Sequence, residues 1–451
     1  MAERFRFIPP LVGKALVIAF LIVLLLVPLG QVESLVGERV GMRQTAATRV
    51  AESWGGVQTT AGVLLAIPVD TTRTVYTNNT VVVRHMLYVL PDTLKINTSV
   101  DPSYRTVGLY ETPVYTAHVL IEGQFVNRDF AQLLQGRQGE EVKWAEARLL
   151  VLNSESRALR AVDDLEVAGE RVPVAADGYA GSAGISTSVP VAALRESASI
   201  PFRMKLTLVG SSRLNFLPLA RKAEIAIRSS WPHPSFEGAP APLDPVITDK
   251  GFSARWSVLE INRNFGQSWY DQEVRAGIPA EVAFAQSGVG VTFYEPVDIY
   301  QRNYRAVHYA VLLIVITFLT FFLWEHMSGI AIHSMQYLMV GMALALFYLL
   351  LLALSEHMTF DLAYGASAGA LVALITIYLT GVLRRIGLAL GAGAGLATLY
   401  AMLYWILRSE DYSLLMGSLL LFGVLATLMI ATRRIDWTSV ARLKRGGEAA
   451  E

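Results

Sequence analysis

Apolar residues follow two rhythms along this chain, and the points where one replaces the other divide it. The first long apolar run, LVGKALVIAFLIVLLLVPLG from Leu11, is interrupted only by Lys14. About 20 such residues in a helix cross a bilayer, and Arg4, Arg6 and Lys14 stand at its start. A cleaved signal peptide fits less well, because the run is long and no small-residue cleavage site follows. Residues 1–30 therefore read as a cytoplasmic N-terminus and a retained anchor helix. Five further spans follow, at about 308–324, 337–354, 362–383, 386–407 and 412–431. Six spans return both termini to one side.

Between these regions the pattern shortens. Residues 31–54 keep a helical recurrence (Val32, Leu35, Val36, Val40, Ala47, Val50, Trp54) and predict a stalk that ends at Gly55-Gly56. Beyond it, GVLLAIPV (62–69) reads as a short buried strand, and residues 74–90 as a hairpin around Asn78-Asn79. Residues 115–125, 202–210, 223–229 and 252–258 alternate apolar and polar. Residues 158–172 read as a short segment and a loop, and the proline-rich 232–245 as a loop. Many short strands with turn signals predict a sandwich-like architecture. The expected fold class is an α+β membrane protein: an N-terminal anchor helix, a large β-rich extracytoplasmic domain over 31–306, a C-terminal five-helix transmembrane bundle over 307–432, and a basic tail over 433–451.

Charge supports that orientation. Arg384 and Arg385, and the tail with Arg433, Arg434, Arg442, Lys444 and Arg445, fall on the side predicted to be cytoplasmic. The opposite connections, SEHMTFD and RSEDY, hold a single arginine between them. This follows the positive-inside rule and places the 31–306 segment in the periplasm. Over all 451 residues, 38 basic and 38 acidic side chains cancel, which argues against a nucleic-acid partner. Cysteine is absent, which removes disulfides, thiolate metal sites and cysteine nucleophiles. No motif asks for a cofactor, so none is expected.

Three places invite chemistry. In SSWPHPSFEG, His233 lies between Pro232 and Pro234, flanked by Trp231 and Phe236. No His/Asp/Glu cluster stands nearby at ligand spacing, and the stretch reads as a rigid corner or a partner-binding loop. Ser355, Glu356, His357 and Asp361 could suggest a hydrolase. They crowd one short turn without a nucleophile elbow, so an interfacial polar turn, or a docking point for the outer domain, is the better reading. Glu325, His326 and His333 lie at the cytoplasmic edge without the spacing of a zinc helix. Gly365 and Gly369, and Gly387, Gly391 and Gly395, recur four apart and read as helix-packing faces. Charged residues are nearly missing from the middles of the last five spans, which argues against ion-coupled transport.

Several longer stretches resemble the CreD family of bacterial inner-membrane proteins. They are SWGGVQTTAGVLLAIPV (53–69), SSWPHPSF (229–236), VDIYQRNYRAVHYAVLLIVITFLTFFLWE (297–325), HSMQYLMVGMALALFYLLLLALSEH (333–357), DYSLLMGSLLLFG (411–423) and TRRIDW (432–437). They occur in the family's order, and the resemblance covers nearly the whole chain. Val57, Val63 and Ser334 stand where the family often has proline. The resemblance implies a role in cell-envelope integrity and in β-lactam or envelope-stress responses, linked to the Cre two-component system, and leaves the biochemical activity open; the large anchored domain and the missing catalytic cluster make a non-enzymatic role the expectation. The expected partners are the lipid bilayer and another envelope protein or a cell-wall component. The alternatives are a membrane-embedded enzyme and an export module for lipids or envelope precursors.

Overall fold

The computed structural model describes residues 10–75, 79–126, 140–179, 182–263, 265–271, 287–293, 299–328, 332–383, 385–409 and 413–433. Asn78 of the expected hairpin turn, Arg384 and the tail beyond Arg433 lie outside the described residues. The chain forms two compact units: Arg43–Pro296, and a second made of Met1–Met42 with Val297–Glu451.

A single helix, α1, runs Pro10–Trp54 through the apolar run and the stalk pattern. It stops where Gly55 takes φ +125°, with its N–H still bonded to the Ala51 carbonyl at 2.9 Å. A Cβ at Gly55 would stand 2.8 Å from the Val209 carbonyl oxygen, so glycine is required there by both conformation and space.

Among the described residues, the Arg43–Pro296 unit is a two-sheet β structure that also holds a short helix, α2 (Val191–Glu196). The first sheet centres on β1 (Gln58–Val75). Along one path it orders β14 (Pro234–Glu237), β18 (Val289–Phe293), β12 (Arg213–Leu217), β1, β6 (Arg148–Asn153), β10 (Ser182–Ser188) and β9 (Ala175–Tyr179). β2 (Asn79–Val89) and β5 (Glu140–Val142) also pair with β1, and β17 (Ser268–Tyr270) pairs with β2. The second sheet orders β15 (Leu243–Thr248), β16 (Gly251–Leu259), β13 (Lys222–Ser229), β3 (Thr93–Val107), β4 (Tyr110–Val126), β11 (Ser199–Ser211), β7 (Leu159–Val167) and β8 (Glu170–Arg171).

The strand expected at 62–69 is thus the middle of an 18-residue strand. Its continuous apolar run has a direct cause: β1 is buried on both faces. Val63, Leu65, Ile67 and Val69 enter the core between the sheets, with Ile96, Ile121, Leu206 and Ile225. Leu64 and Ala66 point the other way into a smaller cluster with Tyr88, Leu90, Leu150 and Leu152. Trp269 packs on that cluster and stacks on Tyr88 at 5.7 Å. The hairpin of β1 and β2 is present, with Val75 opposite Asn79. Residues 158–172 form a second one, β7 with β8, rather than a segment and a loop.

The expected 232–245 loop is corrected. It contains β14 and the first half of β15, each strand pairing with a neighbour, Phe236 opposite Val291 and Leu243 opposite Arg255. Its prolines are compatible with strands because Pro234 begins β14, and Pro245 sits on an edge strand at a register shift.

The other unit is helical: α1, α3 (Ile299–Ser328), α4 (Ser334–Ser355), α5 (Phe360–Leu383), α6 (Ile386–Arg408) and α7 (Ser413–Thr432). α1, α3, α4, α5 and α6 are long and apolar enough to cross a membrane, and α7 is an apolar helix of 20 residues. The fold is an α+β membrane protein. Large apolar side chains cover the outside of the bundle, among them Ile377, Phe422 and Met429, all more than 60% exposed. In water such a surface would aggregate; against acyl chains it is at ease. α3 begins nine residues before the expected 308, because helix formation does not stop at the apolar boundary. The anchor is also not separate: Ile18, Leu21, Leu25, Leu29 and Val32 of α1 share one core with α3 and α4.

Because β1 is buried on both faces, Leu64→Ala and Leu65→Ala should each destabilise the protein, by about 2–5 kcal/mol. Thermal unfolding of the purified protein checks this. A strand with one solvated face would make one of the two substitutions nearly silent.

Candidate functional site

SSWPHPSFEG is the place where the chain changes sheets. β13 ends at Ser229 in the second sheet, and β14 starts at Pro234 in the first. Trp231 fills the corner between them at 5% exposure. Its indole N–H donates to the His233 carbonyl at 3.2 Å, and its backbone N–H to the Ser229 hydroxyl at 3.2 Å. Its ring meets Phe293 edge-on at 6.1 Å. Phe236 packs on Phe252 and Trp256 of the opposite sheet, at 5.7 and 5.9 Å. Tyr115 completes the aromatic layer at 5.0 Å from Phe293. Its buried hydroxyl donates to the Arg213 carbonyl at 2.7 Å, and burial pushes the phenol pKa well up, so it stays protonated. Pro232 is partly buried, and the His233 side chain is exposed. Beyond the corner, Glu237 accepts from the Thr292 hydroxyl and pairs with Arg213 at 3.0 Å.

The sequence-selected turn after α4 has a structural chemistry. Ser355 is buried; its hydroxyl donates to the Leu352 carbonyl at 2.9 Å and accepts from Asn303 Nδ2 at 2.9 Å. A nucleophile would need that proton given to a base, and here it is committed to the backbone. Glu356 pairs with Arg39 of α1 at 3.3 Å. His357 and Asp361 are exposed. The structure therefore brings together Ser355 with Asn303, and Glu356 with Arg39. The signal for Asn303 was available, as the amide in VDIYQRNYRAVHY at the head of an apolar span.

At the other end of α4, Glu325 accepts from Lys14 Nζ, from the Ile332 backbone N–H at 3.1 Å and from the Tyr337 hydroxyl at 3.2 Å. Lys14 also donates to the Ile332 carbonyl at 2.7 Å. The lone cation of the first span thus finds its partner 311 residues away. His333 caps α4: its ring accepts from Met335 N–H, and its own N–H donates to Gln336. The side chain of His326 lies outside the described residues. Among the described residues, no three His, Asp or Glu side chains gather around one potential ion position.

The glycine faces differ from their expected packing role. A Cβ added at Gly365, Gly369, Gly387, Gly391 or Gly395 would meet nothing within 4 Å. Close approach occurs instead at Gly393, where an added Cβ would stand 2.2 Å from Thr376 Oγ1, and at Gly341, where it would stand 2.3 Å from Leu25 Cδ1. Gly387, Gly391 and Gly395 line a cavity of about 660 Å³ with Thr317, Thr320 and Trp324. Gly365 and Gly369 line a groove of about 570 Å³ between α5 and α6. The four-residue spacing correctly grouped each set on one helix face; it could not show whether another helix covers that face.

A family model described as "Inner membrane protein CreD" matches residues 10–438. The chain belongs to the CreD family. It is 29% identical to Inner membrane protein CreD of Escherichia coli (strain K12) over 433 residues, 95% of this chain and 94% of that protein. Family membership and the apolar helices make it a multi-pass inner-membrane protein. Two crystal structures of an M1 zinc metallopeptidase from Deinococcus radiodurans align with 46% of this chain and 42% of theirs, at 8% identity and TM-scores of 0.21 and 0.20. Similarity that low carries no argument about fold or chemistry.

In this CreD-family chain, Trp231→Ala should cost about 3–5 kcal/mol, while His233→Ala should stay within about 0.5 kcal/mol, measured by thermal unfolding. Glu325→Gln leaves the partly buried Lys14 ammonium without its counter-ion. It should lower Tm more than Lys14→Met combined with Glu325→Gln does. Equal Tm values would show that the pair contributes nothing.

Proposed function

We propose that this chain is a non-enzymatic envelope protein whose β domain faces the periplasm and docks another envelope protein. Its role is in envelope integrity and in the response to β-lactams or envelope stress, linked to the Cre two-component system. The orientation is supported by the arginine-rich connection and tail, which mark the cytoplasmic side.

The observation that carries the docking reading is β15. It is the edge strand of the second sheet, and all six of its residues are exposed. Leu243, Val246 and Ile247 each leave more than half of their surface uncovered. Natural edge strands are usually blunted by charge or covered, because their free N–H and C=O groups invite another strand. This one follows directly on the Trp231 corner, which holds it from a rigid core. An extended peptide segment of a partner fits that edge by adding a strand, with the apolar side chains giving specificity. A cell-wall glycan, having no strand to add, fits it less well.

The cavity lined by Gly387, Gly391 and Gly395 favours a second reading, an export module for lipids or envelope precursors. Its lining is apolar apart from Thr317, Thr320 and the Trp324 indole, which suits an acyl chain and not an ion.

A photo-crosslinking residue placed at Val246 in cells should capture one discrete envelope protein. Ile247→Pro, which removes a donor from the edge strand, should abolish both capture and the rescue of a deletion strain at unchanged protein level. Full rescue by Ile247→Pro would refute the docking reading. Gly391→Leu fills the cavity; loss of rescue by that variant alone, at normal abundance, would move the conclusion to export.

A further inference from the structure

The first turns of α3 carry two arginines in a place where a helix disfavours them. Arg302 stands in the first turn and Arg305 one turn later, and no acidic residue occupies the first turn. The helix N-terminus already presents partial positive charge, so cations there repel it. Both side chains are partly enclosed. The Nε of Arg302 and the Nη1 of Arg305 are buried and reach no hydrogen-bond acceptor among the described residues. Buried guanidinium N–H groups left unmade are costly, and native proteins rarely tolerate them without a reason.

The surroundings concentrate the charge. Arg302 lies 5.4 Å from the Phe360 ring, at the start of α5. Asn303 bonds Ser355, which fixes this face of α3 against the turn between α4 and α5. The same turn receives Arg39 of α1, which pairs with Glu356. The start of α5 adds a second positive helix end. Among the described residues, the carboxylates of these turns are Glu356, whose Oε1 lies 3.3 Å from Arg39 Nε but makes no hydrogen bond, and Asp361, exposed in the first turn of α5. His308 Nε2 lies 4.0 Å from Glu33 Oε1, and both side chains are about half exposed.

We propose that this end of the bundle binds a phosphate-type anion through Arg302 and Arg305. Guanidinium groups hold phosphate oxygens with paired, charge-assisted hydrogen bonds, and an anion at two helix N-termini gains from both dipoles. The anion has two possible sources, a phospholipid headgroup or free inorganic phosphate. Depth favours the headgroup. The apolar span of α3 begins near His308, and at 1.5 Å per residue Arg305 and Arg302 stand roughly 5 and 9 Å beyond it. The headgroup layer occupies about that depth outside the hydrocarbon. The Phe360 ring beneath Arg302 would then lie at the acyl boundary. The site is independent of β15 and of any protein partner.

The test uses the full-length protein, delipidated in neutral detergent, with two probes: phosphatidylglycerol and inorganic phosphate. Binding is read by native mass spectrometry and by the shift in Tm. The wild type should bind one more phosphatidylglycerol than Arg302→Gln/Arg305→Gln, whose affinity for that lipid should be about tenfold weaker. Arg302→Lys/Arg305→Lys keeps the charge without the planar fork and should fall between the two; it also serves if the glutamine variant does not fold. Stabilisation by the lipid alone assigns the site to a headgroup. Equal stabilisation by inorganic phosphate assigns it to the free anion. Wild type and both variants binding either probe alike, or wild type binding neither, would overturn the proposal.

Discussion

A lysine inside an apolar span needs a counter-charge or a path to water, and Lys14 has its counter-charge in Glu325. That pairing draws α1 against α3 and α4. Once the helices are aligned, Leu25 can enter at Gly341, where any larger residue would collide with it and with Phe318. Ile18, Leu21, Leu29 and Val32 then continue the seam. The first helix and the last five are consequently one body, although 244 residues of sequence lie between the end of α1 at Trp54 and the start of α3 at Ile299. The β domain is an insertion between two helices that pack on each other.

Within that insertion the organising element is β1. It carries partners on both edges and apolar cover on both faces, so it joins the inter-sheet core to the smaller cluster behind it. The Trp231 corner is its counterpart at the far side of the sandwich. There the chain leaves the second sheet, joins the first through β14, and returns to the second through β15. Each crossing exposes backbone that the sheets no longer satisfy. The Trp231 indole bond to the His233 carbonyl covers part of that need, and the Phe236–Phe252–Trp256 contacts bury the rest of the corner.

The helices were legible because twenty apolar residues in sequence have few other meanings, and the stalk because its period continued that of the first span. The strands were legible where one face is solvated, as in β11, with Phe202, Met204, Leu206 and Leu208 inward and Arg203, Lys205 and Thr207 between them. β1 joins what the pattern gives as two pieces, 62–69 and the start of 74–90; Thr71 and Thr72 between them are at home in a strand. The 232–245 segment looked like a loop because proline count says nothing about which strand has a free edge. Long-range pairs were illegible in principle: Lys14 with Glu325, Arg39 with Glu356 and Asn303 with Ser355 are brought together only by packing. Two of these explain residues that, read alone, suggested an active site.

The central claim is that the β domain lies outside the cytoplasmic membrane, tethered by helices whose far ends are inside. The absence of cysteine from all 451 residues makes this directly measurable. Single substitutions Ile247→Cys and Arg445→Cys give two clean reporters for a membrane-impermeant maleimide. In cells with a permeabilised outer membrane and an intact inner one, position 247 should label and position 445 should label only after lysis. Labelling of 445 in intact cells, or protection of 247 until lysis, would contradict the account.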